Sequence, residues 1–453
     1  MQKPIVALVG RPNVGKSTLF NRLAGEPLAI VDDTPGTTRD RLMSESEWNG
    51  RAFHIVDTGG IDPSMAGKDP LSIGSAEYIG QIRSQAELAI READVVLFLV
   101  DAISGVTPAD KEVAEILRRN QRKVDGIPTP PVLLVVNKAD NSAYRADAAD
   151  FYELGIGEPY PISAAHGTGT GDMLDDLVAS FPPEEKEGED DSVKIALVGK
   201  PNVGKSSLLN RLTGEERAIV SPIAGTTRDA VDTKIEFGGV PVTLIDTAGI
   251  RRRGKVDPGV EKFSVIRSMR AIERADVALL MIDATSGITA QDTHIAGYIL
   301  EANKSTVVLV NKWDAIEKDN FTMQQYTEII RRELNFVSYV PILFISVKSG
   351  QRVDQVLPLA LKVQEERLAR LGTGQLNRIL QNAQDAHHAT SRTGKSLRMY
   401  YGTQVRSDPP TFMIYVNDPR LAHFTYTRYL ENCIRKEYPF SGTPIRIIYK
   451  ARR

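Results

Sequence analysis

Gly10-Arg11-Pro12-Asn13-Val14-Gly15-Lys16-Ser17-Thr18 follows the apolar run Ile5 to Val9 and precedes the helical pattern Leu19-Phe20-Asn21-Arg22-Leu23. Strand, glycine loop and helix in that order give a G-x-x-x-x-G-K-[ST] match a mechanism. Gly10 and Gly15 let the backbone close on phosphate oxygens. Backbone N–H groups and the helix N-terminus supply positive potential, Lys16 adds a point charge, and Ser17 offers a hydroxyl to magnesium. The arrangement returns 189 residues later as Gly199-Lys200-Pro201-Asn202-Val203-Gly204-Lys205-Ser206-Ser207, between Ile195 to Val198 and Leu208-Leu209-Asn210-Arg211-Leu212. Two loops in the same context predict two nucleoside triphosphate sites.

The repeat extends beyond the loops. Pro35-Gly36-Thr37-Thr38-Arg39-Asp40 returns as Ala224-Gly225-Thr226-Thr227-Arg228-Asp229, and Asp57-Thr58-Gly59-Gly60-Ile61 as Asp246-Thr247-Ala248-Gly249-Ile250, at the same offset. Farther on, Asp101 to Gly105 matches Asp283 to Gly287, Asn137-Lys138-Ala139-Asp140 matches Asn311-Lys312-Trp313-Asp314, and Ser163-Ala164 matches Ser346-Val347, with drifting offsets that mark loops of different length. Apolar runs such as Val95 to Val100, Val132 to Val136, Val277 to Ile282 and Thr306 to Val310 read as buried parallel strands separated by charged helical stretches. The fold class is therefore α/β: two tandem P-loop domains, each a doubly wound, mostly parallel sheet, followed by a small α+β domain.

The first domain is expected at 1–180 and the second at 193–351, joined by an acidic, mobile linker over 181–192. After Arg352 the pattern changes to helices over 359–371, 375–386 and 421–436 and strands over 398–405, 411–417 and 445–450, with a frayed basic tail after Lys450. This third domain, 352–453, holds 17 Lys and Arg against 8 Asp and Glu in a chain whose net charge is −2. Such an excess fits an RNA surface or an ordinary solvated face. Tyr400, Tyr401, Tyr415, Tyr426 and Tyr429 either stack on bases or, as interleaved aromatics more often do, belong to the core.

Asn-Lys-x-Asp decides the base. A carboxylate accepts from both the ring N–H and the exocyclic amine of guanine, whereas adenine places an acceptor against it. Asp140 and Asp314 are expected to select guanine, Asn137 and Asn311 to brace the loops, and Lys138 and Lys312 to lie along the ring. Asp57 and Asp246 end apolar stretches, where a carboxylate reaches magnesium through its water shell, and Gly60 and Gly249 present an N–H to the γ-phosphate. Thr38 and Thr227 supply a hydroxyl to the metal. Release of both segments on loss of the γ-phosphate makes them switches.

The order and wording of these motifs resemble the translation-factor-related GTPases of the Era and MnmE type. Tandem copies followed by a basic domain ending Phe440-Ser441-Gly442-Thr443-Pro444-Ile445-Arg446 are similar over essentially the whole chain to the bacterial Der (EngA) family. That resemblance implies two GTPase domains, a C-terminal KH-like domain, and a role in assembly of the large ribosomal subunit; the expected function is a GTP-hydrolysing switch whose nucleotide states set the domain arrangement and thereby its affinity for the ribosomal subunit. Ile61 and Ile250 stand where signalling GTPases carry a water-positioning glutamine, so intrinsic turnover is expected to be slow. MnmE-type relatives use K⁺, held partly by the asparagine that Asn13 and Asn202 match, which implies a K⁺-assisted reaction. Arg251, Arg252 and Arg253 act as a finger, contact RNA, or form a solvated loop. No Gly-x-x-Gly loop occurs between 352 and 453 to clamp RNA in the usual KH manner. A GTPase partner in RNA modification and a non-cycling GTP-binding scaffold are the alternative readings.

With 42% hydrophobic residues each domain has material for a core. No apolar run reaches the roughly 18 residues of a membrane span, and Met1-Gln2-Lys3-Pro4 leads into a strand rather than a signal sequence. A cytoplasmic monomer without DNA or membrane partners is expected. Cys433 is the single cysteine, which excludes an internal disulfide, and it reads as a packing residue.

Overall fold

The computed structural model describes residues 3–24, 43–57, 86–87, 89–124, 127–183, 191–214, 218–221, 232–245, 263–387 and 396–452. The chain forms two compact units that divide between Glu189 and Asp190. In the first, β1 (Ile5–Val9), β2 (Met43–Trp48), β3 (Arg51–Asp57), β4 (Val95–Asp101), β7 (Val132–Asn137) and β8 (Pro159–Pro161) form a sheet of order β2-β3-β1-β4-β7-β8, beside a separate hairpin of β5 (Arg122–Val124) and β6 (Ile127–Thr129). Only the β2–β3 pair of the large sheet is antiparallel. Every residue of β1 and β4 is buried, as strands covered on both faces require. Alternate side chains enter two cores, one holding Val9, Phe98, Leu117 and Phe151, the other Leu8, Leu19, Leu97 and Leu177.

The second unit repeats this plan with β9 (Val193–Val198), β10 (Ala218–Ser221), β11 (Thr233–Phe237), β12 (Val240–Ile245), β13 (Val277–Asp283), β14 (Ser305–Asn311) and β15 (Ile342–Phe344), ordered β10-β11-β12-β9-β13-β14-β15. It also contains the third domain, where β16 (Met399–Ser407), β17 (Pro410–Val416) and β18 (Arg446–Ala451) form a sheet against the helices Thr373–Ala386 and Phe424–Glu437.

Three boundaries differ from the sequence expectation. The helix Val356–Leu368, assigned above to the third domain, inserts Val356, Leu357, Ala360 and Val363 among Ile195, Leu279 and Val307, so it completes the second GTPase domain. Both ends of the expected linker are packed: Phe181 lies 5.3 Å from Phe53 between ring centroids, and Ser192 shares a 2.6 Å hydroxyl hydrogen bond with Thr243. The middle of the linker, 184–190, lies outside the described residues. The tail is not frayed through Arg452, whose N–H donates to the Val416 carbonyl at 2.9 Å while its guanidinium lies 4.8 Å from the Tyr400 ring centre.

The segment around Gly442 fastens the third domain to the sheet beside it. The Gly442 carbonyl accepts from Thr306 N–H at 2.7 Å, its N–H donates to Tyr339 at 3.0 Å, and the Thr443 and Ser305 hydroxyls meet at 3.0 Å. A Cβ on Gly442 would stand 2.7 Å from the Thr306 carbonyl oxygen, at a φ of +70°. Arg435 donates to the carbonyls of Pro439, Phe440 and Thr443 and lies 3.8 Å over the Tyr339 ring. Arg435→Ala strips three carbonyls of a donor and is expected to cost about 3 kcal/mol. Calorimetry is expected to show the third domain melting before the rest of its unit; an unchanged unfolding profile would mean that this arginine does not hold the interface.

Candidate functional site

The two phosphate loops are built alike. Gly10 has φ +152° and Gly15 φ +95°, and a Cβ at either would lie 2.3 Å from the Leu99 carbonyl oxygen or 2.2 Å from Asn137 Nδ2. Gly199 and Gly204 repeat this against Met281 O at 2.4 Å and Asn311 Nδ2 at 2.3 Å. Asn13 and Asn202 take left-handed φ values of 64° and 63°, which asparagine tolerates, and both side chains are exposed beside the buried Val14 and Val203. Lys16 Nζ donates to the carbonyls of Gly10 at 2.7 Å and Arg11 at 2.9 Å; Lys205 does the same to Gly199 at 2.6 Å and Lys200 at 2.7 Å. Each lysine is thereby bent back over its own loop, at the N-terminus of the following helix.

Burial pushes the Lys16 ammonium down to about 8, opposed by the nearby Asp57 carboxylate. The charged form is thus disfavoured in the fold, a penalty present below about pH 8 and gone above the ordinary lysine value of 10.5. Ser17 Oγ donates to Asp57 Oδ2 at 2.9 Å. A hydroxyl and a carboxylate so close together are hard oxygen donors suited to Mg²⁺, directly or through water.

At the base end, Asn137 joins two loops: Nδ2 donates to Val14 O at 2.8 Å and Oδ1 accepts from Ala164 N–H at 2.9 Å. Asn311 joins Val203 at 2.7 Å to Val347 at 3.0 Å in the same way. Asp140 and Asp314 project into solvent, and Asp314 Oδ1 accepts from the Ser346 hydroxyl at 2.6 Å, which keeps its carboxyl below the usual range. Ser163 and Ser346 each accept an N–H from three residues ahead, His166 and Ser349, at 3.1 Å. Ala139 and Trp313 are buried against the cores; Pro12 and Pro201 line the loops, half-buried.

Several supports carry no role in the sequence reading. Asp101 accepts from Lys138 Nζ at 2.7 Å and Asp283 from Lys312 Nζ at 2.6 Å, at positions where the lysines hold φ values of 65° and 62°. Hydrogen bonds from Lys312 and Thr285 draw the Asp283 carboxyl below its usual range, although burial acts first and in the opposite direction. Arg22 reaches the carbonyls of Ala164 and Ala165, and Arg211 reaches Val347 O at 2.9 Å. Arg11 and Lys200, expected among the nucleotide-binding residues, are engaged within the protein: Arg11 pairs with the buried Asp110 at 3.2 Å, and Lys200 donates to Ser286 at 2.7 Å. The repeated Asp-Ala-x-Ser-Gly stretches and the arginine five residues after each loop serine were the available signals. Thr38, Thr58, Gly59, Gly60 and Ile61 of the first copy, and Thr227, Asp246, Thr247, Ala248, Gly249, Ile250 and Arg251 to Arg253 of the second, lie outside the described residues.

A family model described as 50S ribosome-binding GTPase matches residues 5–138 and again 194–312, and one described as the KH-domain-like C-terminal region of EngA bacterial GTPases matches 370–450. GTPase Der of Herpetosiphon aurantiacus is 52% identical over 454 aligned residues, which cover 100% of this chain and 97% of that protein. The chain belongs to the GTPase Der family. GTPase Der of Lacticaseibacillus paracasei is 51% identical, with 100% of both chains covered. Among solved structures the chain is similar to Era in complex with MgGDPNP and a 16S ribosomal RNA segment, at 23% identity and a TM-score of 0.29 over 58% of this chain and 93% of that one, too distant to carry an argument. As a member of the Der family the protein binds guanine nucleotide and hydrolyses GTP. Among the described residues no helix is long and apolar enough to cross a membrane.

Proposed function

We propose that the protein is a two-site GTP-dependent switch in assembly of the large ribosomal subunit. The observation that carries this reading is that both halves match a family described as 50S ribosome-binding GTPases. In each site the loop amides hold the β- and γ-phosphates. Lys16 has three N–H donors, of which two engage Gly10 and Arg11, so one remains for a phosphate oxygen of the bound nucleotide. Ser17 and Asp57 would hold Mg²⁺, as would Ser206 and Asp246 in the second copy, and the bound ion would supply charge neutralisation at the phosphates. Thr38, Gly60, Thr227 and Gly249 sense the γ-phosphate. Asp140 and Asp314 select guanine. The protein works as a cytoplasmic monomer, and the timing of hydrolysis matters more than bulk turnover.

Asn13 and Asn202 are exposed residues of the phosphate loops, at the position of the asparagine that helps hold K⁺ in the relatives the motifs resemble, which fits a monovalent cation shared with the nucleotide. GTP hydrolysis is expected to be at least tenfold faster in potassium than in sodium salts; equal rates would remove K⁺ from the mechanism.

Because the triphosphate restores a high pKa to Lys16, binding is expected to take up about half a proton at pH 8 at the first site, and affinity is expected to fall above that pH. Titration calorimetry in two buffers of different ionisation enthalpy, with Lys16→Ala as the reference, measures the uptake. No difference between the two proteins would contradict it. The assembly role itself is tested by cosedimentation with isolated subunits. Binding to the large subunit with a non-hydrolysable GTP analogue but not with GDP is expected, and no binding in either state would discard the reading.

A further inference from the structure

In each GTPase domain the lysine of Asn-Lys-x-Asp is tied to a carboxylate that arrives from the neighbouring strand. β4 ends on Asp101, paired in register with Asn137, and β13 ends on Asp283, paired with Asn311, so each aspartate stands beside the lysine that follows the asparagine. Asp101 Oδ2 accepts from Lys138 Nζ at 2.7 Å, and Asp283 Oδ2 accepts from Lys312 Nζ at 2.6 Å. The carboxylate side chains are 9% and 11% exposed, the lysine side chains 34% and 39%. Both lysines hold left-handed φ values, 65° and 62°, which such a residue keeps only where its surroundings impose them. The two copies differ in one respect. Asp101 Oδ1 accepts the Ile103 N–H at 3.0 Å, whereas Asp283 Oδ1 accepts both the Thr285 N–H at 2.9 Å and the Thr285 hydroxyl at 2.7 Å. Ile103 is 57% exposed.

We propose that Asp101 and Asp283 are positioning residues for the guanine base: each carboxylate holds in place the lysine stem that is to lie along the purine ring, so the nucleotide meets a lysine already ordered. A lysine stem is flexible, and ordering a side chain so rich in rotamers at the moment of binding costs affinity. An ion pair on open surface contributes little. These carboxylates are nearly buried and each is fixed by a backbone N–H, so they present a stationary acceptor and only the lysine has to settle. The Thr285 hydroxyl fixes the second carboxylate further, with a donor that the Ile103 side chain cannot supply. Two sites that share one motif are therefore unequal in how firmly the lysine is held. The inference rests on the reading of Asn-Lys-x-Asp as the guanine loop, and it concerns retention of nucleotide rather than the hydrolytic step.

The test follows release of a fluorescent GDP analogue from the full chain by stopped flow, with the phases of the two sites assigned by Lys16→Ala and Lys205→Ala. Asp283→Asn keeps the shape and the acceptor for the Thr285 N–H and removes the charge. It is expected to speed release from the second site on the order of tenfold and to leave the first unchanged, which makes the first site a control for folding within the same molecule. Asp101→Asn is expected to do the converse. Thr285→Val is expected to speed the second phase about threefold, and Ile103→Thr to slow the first about threefold. A double-mutant cycle reads whether the carboxylate acts through the lysine: in a Lys312→Ala chain, Asp283→Asn is expected to change nothing further. An undiminished Asp283→Asn effect without the lysine would overturn the proposal, because the carboxylate would then act by holding its own turn; so would release from Asp283→Asn as slow as from wild type. Lys312→Ala alone separates the inference from the reading beneath it. If it releases GDP as slowly as wild type, the lysine has no part in base binding and that reading fails; if it releases faster while Asp283→Asn does not, only the tether fails.

Discussion

Asp314→Asn is expected to lower GTP affinity at the second site by roughly 10³-fold or more and to give that site affinity for xanthosine triphosphate. Guanine offers two donors to the carboxylate; an asparagine amide turns one contact into donor against donor, and sites built on such pairing discriminate by about 10⁴ to 10⁵. Xanthine carries a carbonyl in place of the amine and accepts from the new amide. Asp314 is suited to the task because the Ser346 hydroxyl, 2.6 Å away, keeps its carboxyl ionised below the usual range. Asp140→Asn is expected to make the same exchange in the first site. Titration of each variant with fluorescent GDP and XDP analogues reads the result; a variant with undiminished guanine affinity would remove that aspartate from base recognition.

The second large effect concerns glycines rather than a contact to nucleotide. Gly15→Ala is expected to abolish binding at the first site while leaving the second intact, and Gly204→Ala the converse. The new methyl would stand 2.2 Å from Asn137 Nδ2 or 2.3 Å from Asn311 Nδ2. The asparagine must swing away, which breaks its bonds to the phosphate loop and to the loop of Ala164 or Val347. Leaving such buried groups unpaired costs about 1–3 kcal/mol each, and φ values of +95° and +103° add strain to any residue with a Cβ. Together these amount to roughly a thousandfold in affinity at one site. Calorimetric stoichiometry is expected to fall from two nucleotides to one in each variant. Loss of both sites from one substitution would show that the two units do not bind independently.

Much of the molecule was legible because its chemistry is written in short stretches. Gly10 to Ser17 and Gly199 to Ser206 lie next to the strands and helices that give them their shape, and the buried runs of β4, β7, β13 and β14 carry the signature of strands covered on both faces. The reading of the five tyrosines as core residues holds for Tyr426 and Tyr429, which pack against the core of the third domain, and not for Tyr400 and Tyr401, which are exposed, for a reason that composition cannot reveal. Two irregularities in the register of β16, near Tyr400 and Val405, set which side chains face out. The boundary at Arg352 failed because the helix Val356–Leu368 has no marker in its own sequence for the core that it joins.

The sequence by itself determined the two P-loop domains, their guanine motifs and the family, because repeated motifs at fixed spacing each carry their own local geometry. Tertiary structure alone decided how those motifs are held and where the third domain is fixed. Asn137 meets Val14 across 123 residues, Arg22 meets Ala164 across 142, and Ser305 meets Thr443 across 138. Contacts at such separations depend on sheet order and register, which arise from packing of the whole unit and leave no pattern in any one stretch of the chain.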